Sequence, residues 1–265
     1  MKIIFWHELK MNRKSLFLWL IAMIMLLGMG AAEYSIVVGA GDAIVSGITA
    51  MPRITRIMFG IYDNIPLDTP LGYYVCMFLW YCSISFTHAT YVGATIISKE
   101  ERNKTAEYLF TKPFSRTKVI SAKIFAGTVC VATMTMITWI FTLLTLIPQI
   151  DGVDISKEIT LTMIGMFLTQ IIFMVIGLCF SAVFKKQSSA VRFSILSVLL
   201  FYGISVAVEY VGYAALTILT PFWYFNAPAL VSEGFDVLYL VIALLIFVLC
   251  VYGTYILYKK RDIYC

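Results

Sequence analysis

Between Ser98 and Lys118 the chain reads SKEERNKTAEYLFTKPFSRTK, a polar stretch set between two long apolar runs. It holds three of the fifteen acids (Glu100, Glu101 and Glu107) and six of the twenty Lys and Arg. Ala106, Leu109, Phe110 and Pro113 fall 3, 1 and 3 apart. That spacing gathers them on one side of a short helix whose other sides are charged. Pro113 disfavours helical geometry at Lys112 and ends the helix, after which Ser115 or Thr117 can cap the next one. Charges this dense are costly in hydrocarbon, so the stretch lies in water between two membrane spans. What it offers is recognition, through charge and a narrow apolar stripe.

Other residues that could do chemistry are scattered. The two histidines, His7 and His88, sit in different segments. His88 lies inside an apolar run among Ser83, Ser85, Thr87 and Thr90. It reads either as a histidine hydrogen-bonded to a neighbouring helix or as a proton or ligand site. Glu33 and Glu209 fall near span ends, where an acid ordinarily serves as a solvated cap. The six cysteines show no metal or disulfide spacing, and five of them lie in apolar runs, where Cys behaves as a small buried hydrophobe. No metal site and no catalytic residue is expected. The Gly-x-x-x-x-Gly-Lys-Ser/Thr phosphate loop, HExxH and the Gly-x-Ser-x-Gly elbow are all missing from the sequence.

The elements that position these residues are membrane helices. At 61% hydrophobic and 13% charged, with mean hydropathy +0.89, a soluble globular domain is excluded. The expected fold is an all-α integral membrane protein with six spans, about 16–38, 71–97, 119–147, 159–184, 192–211 and 237–258. Residues 1–14, with Trp6 beside Lys and Arg, read as an interfacial elbow helix, and residues 15–265 as a single transmembrane domain. Arg53 and Arg56, about one turn apart, mark a surface helix in the loop after span one. The six Thr of span three can bond back to their own helix. The stretch 212–236 is apolar but broken by Pro221, Asn226, Pro228 and Gly234, so one continuous helix is not expected there. Its aromatic run Phe222-Trp223-Tyr224-Phe225 suits an interfacial belt. Seventeen Lys and Arg fall on the segments assigned inside, against Arg53, Arg56 and Lys157 outside. That split places both termini in the cytoplasm of a multi-pass cell-membrane protein, and it leaves no basic patch for nucleic acid.

The pattern Glu101…Thr105-Ala106-Glu107-Tyr108-Leu109…Pro113-Phe114-Ser115-Arg116…Lys123 resembles the coupling segment of ABC type-2 transporter permeases. It departs from that pattern at Lys104, where Gly is usual, and at Tyr108, where Leu is common. The resemblance implies that Glu100, Glu101, Thr105, Glu107, Leu109, Phe110, Pro113, Ser115 and Arg116 form a cytoplasmic coupling helix and its flanks, docked on a separate ABC ATPase. It implies two ATPase copies binding ATP and Mg, a second permease copy, and no cofactor in this chain. It also implies a re-entrant segment on the outer side between spans five and six, at Pro221, Phe222 and Trp223. Those three residues, with His88 and Glu209, are the candidates for a pathway or outer gate. The function implied is a non-catalytic permease of an ATP-driven exporter. Its Met and aromatic content favours a hydrophobic or amphipathic cargo, such as a peptide or lipid-like molecule. Three alternatives are a permease supporting maturation of a secreted or metal-containing protein, a membrane-complex scaffold and an intramembrane hydrolase.

Overall fold

The computed structural model describes residues 2–40, 46–48, 50–97, 116–150, 153–184 and 186–260. Six long helices run alternately up and down: α1 (Lys2–Ala40), α3 (Pro70–Ile96), α4 (Arg116–Leu146), α5 (Ser156–Val183), α6 (Gln187–Val211) and α9 (Val237–Lys260). Short helices α2 (Arg53–Met58), α7 (Pro221–Tyr224) and α8 (Ala227–Glu233) lie at the end of the bundle away from Lys2 and Lys260. That end is called the far end below, and the end holding Lys2, Ile96 and Arg116 the near end. Among the described residues there is no strand.

Five of the long helices are long and apolar enough to cross a membrane, namely Lys2–Val37, Thr117–Gln149, Ser156–Val183, Gln187–Val211 and Val237–Tyr258. The other, α3, is 27 residues long and carries Tyr73, Tyr74, Tyr81, His88 and several hydroxyls. Its polarity follows from its place. Most of α3 is buried, whereas only 6% of the apolar window of α9 is covered by protein. Side chains that face protein can be polar if they find partners, while those that face lipid cannot.

The broadest helix–helix contact joins α3 to α5, and two glycines make it possible. A Cβ on Gly93 would lie 2.0 Å from the Met174 carbonyl oxygen, and one on Gly177 would lie 2.2 Å from that of Thr90. Backbone is against backbone at both points, as small residues allow between membrane helices. Phe86 stacks on Phe173 with centroids 5.0 Å apart, and the Tyr74 and Thr162 hydroxyls are hydrogen-bonded at 2.5 Å. Gln170, the strongly polar residue of α5, donates from Nε2 to Thr135 Oγ1 at 3.0 Å and so ties α5 to α4. Thr128, Thr133, Thr135, Thr138, Thr142 and Thr145 of α4 all bond back to the carbonyl four residues earlier.

Residues 1–14 correct one expectation. They are not a separate elbow, because α1 runs unbroken from Lys2 to Ala40. The sequence has no proline in that range and its first glycine is Gly28, so nothing interrupts the helical hydrogen bonds. At 39 residues α1 is about 58 Å long, well beyond a hydrocarbon core of about 30 Å.

The broken stretch after α6 is as expected. Gly212 ends α6 at φ +71, a value that favours glycine, and a 3₁₀ turn spans Ala214–Leu219. Thr220 and Asn226 then cap α7 and α8, accepting from the Phe222 and Ala229 backbone N–H groups. Gly234, at φ +79, turns the chain into α9.

Candidate functional site

At the near end the residues expected to form the coupling helix, Glu100, Glu101, Thr105, Glu107, Leu109, Phe110, Pro113 and Ser115, lie outside the described residues. Arg116 is the first residue of α4. What is described is the frame from which that segment departs and to which it returns. Lys123, two turns into α4, is 1% exposed. Its Nζ donates to Glu8 Oε1 of α1 at 2.7 Å and to the Ile96 carbonyl oxygen, in the last turn of α3, at 2.6 Å. One ammonium therefore satisfies an orphan carbonyl at a helix C-terminus and pairs with a carboxylate that is itself only 3% exposed. A hydroxyl contact of 2.7 Å between Ser121 and Tyr255 adds α9 to the same end. Both roots of the 98–115 segment are thus held to each other and to the N-terminal helix.

Glu8 was not singled out in the sequence. A signal for it existed in Lys123, a charge set inside the apolar part of a span, which needs a buried partner from some other element. Which element supplies it could not be read from spacing.

At the far end four pieces of chain line a cavity of about 40 Å³. The loop after α1 contributes Tyr62, α3 contributes Phe86, and α6 contributes Tyr202 and Glu209. The short helix α7 contributes Phe222 and Trp223. Two contacts tie the loop to α6, and an ion pair lies within the loop. Tyr202 Oη donates to the Met58 carbonyl at 2.5 Å, Arg56 pairs with Asp63, and the Arg53 guanidinium lies 5.9 Å from the Tyr210 ring centroid. Burial pushes the Tyr62 phenol well above its ordinary range, and the Glu209 carboxylate adds to the effect. Burial likewise raises Tyr224, whose Oη donates to the Ile218 carbonyl at 2.7 Å.

Glu209 is only partly exposed near the end of α6. Its Oε2 is buried and accepts no hydrogen bond, and neither does the buried Trp223 Nε1–H find an acceptor. The aromatic α7 packs against that end of α6, where Glu209 is half-buried. Glu33, by contrast, is exposed as expected. Pro221 is buried and opens α7.

His88 does not join this group. It is 1% exposed within α3, with its ring centroid 5.8 Å from that of Trp19 in α1. Neither ring nitrogen has a hydrogen-bond partner, so the expected bond to a neighbouring helix is replaced by ring packing. Of the five pathway candidates, Glu209, Pro221, Phe222 and Trp223 are brought together and His88 is apart.

No curated protein is significantly similar to the chain in sequence. Residues 2–263 match the model of the family described as ABC-2 family transporter protein. The match takes in the long helices, the polar segment between α3 and α4, and the broken stretch between α6 and α9. Coverage on that scale shows that the chain belongs to the ABC-2 family of transporter proteins.

Proposed function

We propose that this chain is the membrane-spanning permease of an ATP-driven exporter, crossing the membrane six times with both termini in the cytoplasm. On this basis the near end is cytoplasmic, and the 98–115 segment docks on a separate ABC ATPase. Two permeases and two ATPases would form the working unit, with ATP and Mg bound by the ATPases. Closure of the ATPase pair would move the segment as a rigid body. The Lys123–Glu8–Ile96 clamp would pass that motion to α1, α3 and α4 together, since none can shift alone without breaking the buried ion pair or the hydrogen bond to the Ile96 carbonyl. That clamp is the observation that carries the proposal, within a family already shown. At the far end Pro221, Phe222, Trp223 and Glu209 are assigned to an outer gate, with the 212–236 stretch re-entrant. The cargo assigned is hydrophobic or amphipathic, since aromatic and aliphatic residues together make most of the wall at that end.

Orientation is open to a direct check. Single cysteines at Asp63→Cys and Asp154→Cys are expected to react with a membrane-impermeant maleimide applied from outside. Asn103→Cys and Gln187→Cys should react only after the membrane is opened. External labelling at residue 103 would put the coupling segment on the wrong side and sink the proposal. Function is tested by reconstitution, where the full chain should raise ATP turnover by its co-purifying ATPase. A scaffold or an intramembrane hydrolase would leave that turnover unchanged.

A further inference from the structure

The far-end cavity has a composition that is unusual for packing alone. Aromatic side chains are the largest group in its wall, Ser205, Asn226 and Glu209 supply polar groups, and the Glu209 oxygen Oε2 is buried with no hydrogen-bond partner. A buried carboxylate oxygen without a donor is costly, and the Trp223 Nε1–H of the same wall, itself without an acceptor, is not bonded to it. The cations on the neighbouring helix do not fill the gap. Arg56 is engaged by Asp63, and Arg53 lies over the Tyr210 ring and is not bonded to Oε2.

We propose that this cavity is a binding site for a primary ammonium group, held by Glu209 and by the faces of Tyr62, Tyr202 and Phe222. An ammonium supplies the N–H donors that Oε2 lacks, and aromatic faces attract a cation through their quadrupole. Size favours the compact headgroup. A space of about 40 Å³ admits an –NH₃⁺ and a water or two, at roughly 10–15 Å³ each by the same measure. Such a water gives the Trp223 Nε1–H its missing acceptor. A divalent cation fits poorly, because Ca²⁺ takes about six to eight oxygen ligands and Glu209 is the single carboxylate in the wall. The ammonium could belong to a soluble amine or to an amine-bearing lipid headgroup. Its use as a cargo contact rests on the exporter reading, whereas occupancy of the site does not.

Binding is therefore measured on the permease alone, with the full chain in phosphatidylcholine nanodiscs. Titration calorimetry uses n-butylammonium as the probe and n-butanol as its neutral counterpart. Butylammonium is expected to bind saturably, and n-butanol is not. Glu209→Gln should weaken butylammonium binding by about tenfold or more, as loss of a desolvated cation's counter-charge requires. Phe222→Leu keeps an apolar wall but removes a ring face, and should weaken binding severalfold without abolishing it. Repeating the titration in discs containing phosphatidylethanolamine separates the two sources. A lower apparent affinity there assigns the site to the lipid headgroup, and an unchanged one assigns it to a soluble amine. Equal binding by wild type and Glu209→Gln, matching binding of n-butanol, or no saturable binding in phosphatidylcholine discs overturns the proposal. None of those results touches the ATPase coupling, which is measured separately.

Discussion

Lys123→Met is expected to destabilise the folded permease by about 3–5 kcal/mol, the range seen when one partner of a buried ion pair is removed. The physical cause is what remains behind. Glu8, at 3% exposure, would lose the ammonium at Oε1, and its Oε2 already has no hydrogen-bond partner. The Ile96 carbonyl would lose its donor at the same time. Glu8→Gln should cost less, because an amide still accepts from Lys123 and the ammonium keeps the Ile96 carbonyl. The double variant Lys123→Met, Glu8→Leu should recover much of the loss, since an apolar pair of similar volume carries no desolvation penalty. Thermal unfolding of wild type, Lys123→Met, Glu8→Leu and the double variant in one detergent closes a double-mutant cycle. Additive losses would mean that the two side chains do not interact, and that the clamp does not exist.

How much of this was legible in the sequence depends on the range of the interaction. Span positions were, because they rest on runs of apolar residues, and five of the helices lie close to the expected bounds. The break at 212–236 was too, since Gly212, Pro221, Asn226, Pro228 and Gly234 each act within a turn. The Thr ladder of α4 is likewise local, each hydroxyl reaching only its own helix.

Contacts between elements were not legible. Glu8 and Lys123 are separated by 115 positions, and no periodicity links them. The continuity of α1 was missed because charge next to an apolar run suggests a boundary, although no helix-breaking residue is present. The polarity of α3 marks a helix buried among α1, α4, α5 and α6. Gly93 and Gly177 gave no sign of facing backbone, because the pairing of α3 with α5 is a property of the bundle. Grouping His88 with Glu209 failed for the same reason. Both are ionisable residues in spans, but one packs on Trp19 and the other faces the far-end cavity.

The double variant Leu109→Ala, Phe110→Ala is expected to lose most of its association with the ATPase subunit. The coupling stripe is narrow, and these two side chains make up most of its apolar surface. Each is worth on the order of 1.5–3 kcal/mol if fully buried on docking. In a small interface two such residues act as hot spots, so their loss is not made up by the charged rim. Glu101→Lys and Glu107→Lys should weaken docking through charge mismatch instead, and their effect should shrink as salt is raised, since screening shortens the reach of exposed charges. The clamp at Lys123 is untouched by any of these changes, so the permease itself should remain folded. The most direct measurement is co-purification of the ATPase with the Leu109→Ala, Phe110→Ala permease, together with ATP turnover of the resulting preparation. Loss of both, in a permease that unfolds at the wild-type temperature, is the expected result. Wild-type recovery of the ATPase with wild-type turnover would contradict the assignment of residues 98–115 as the coupling element.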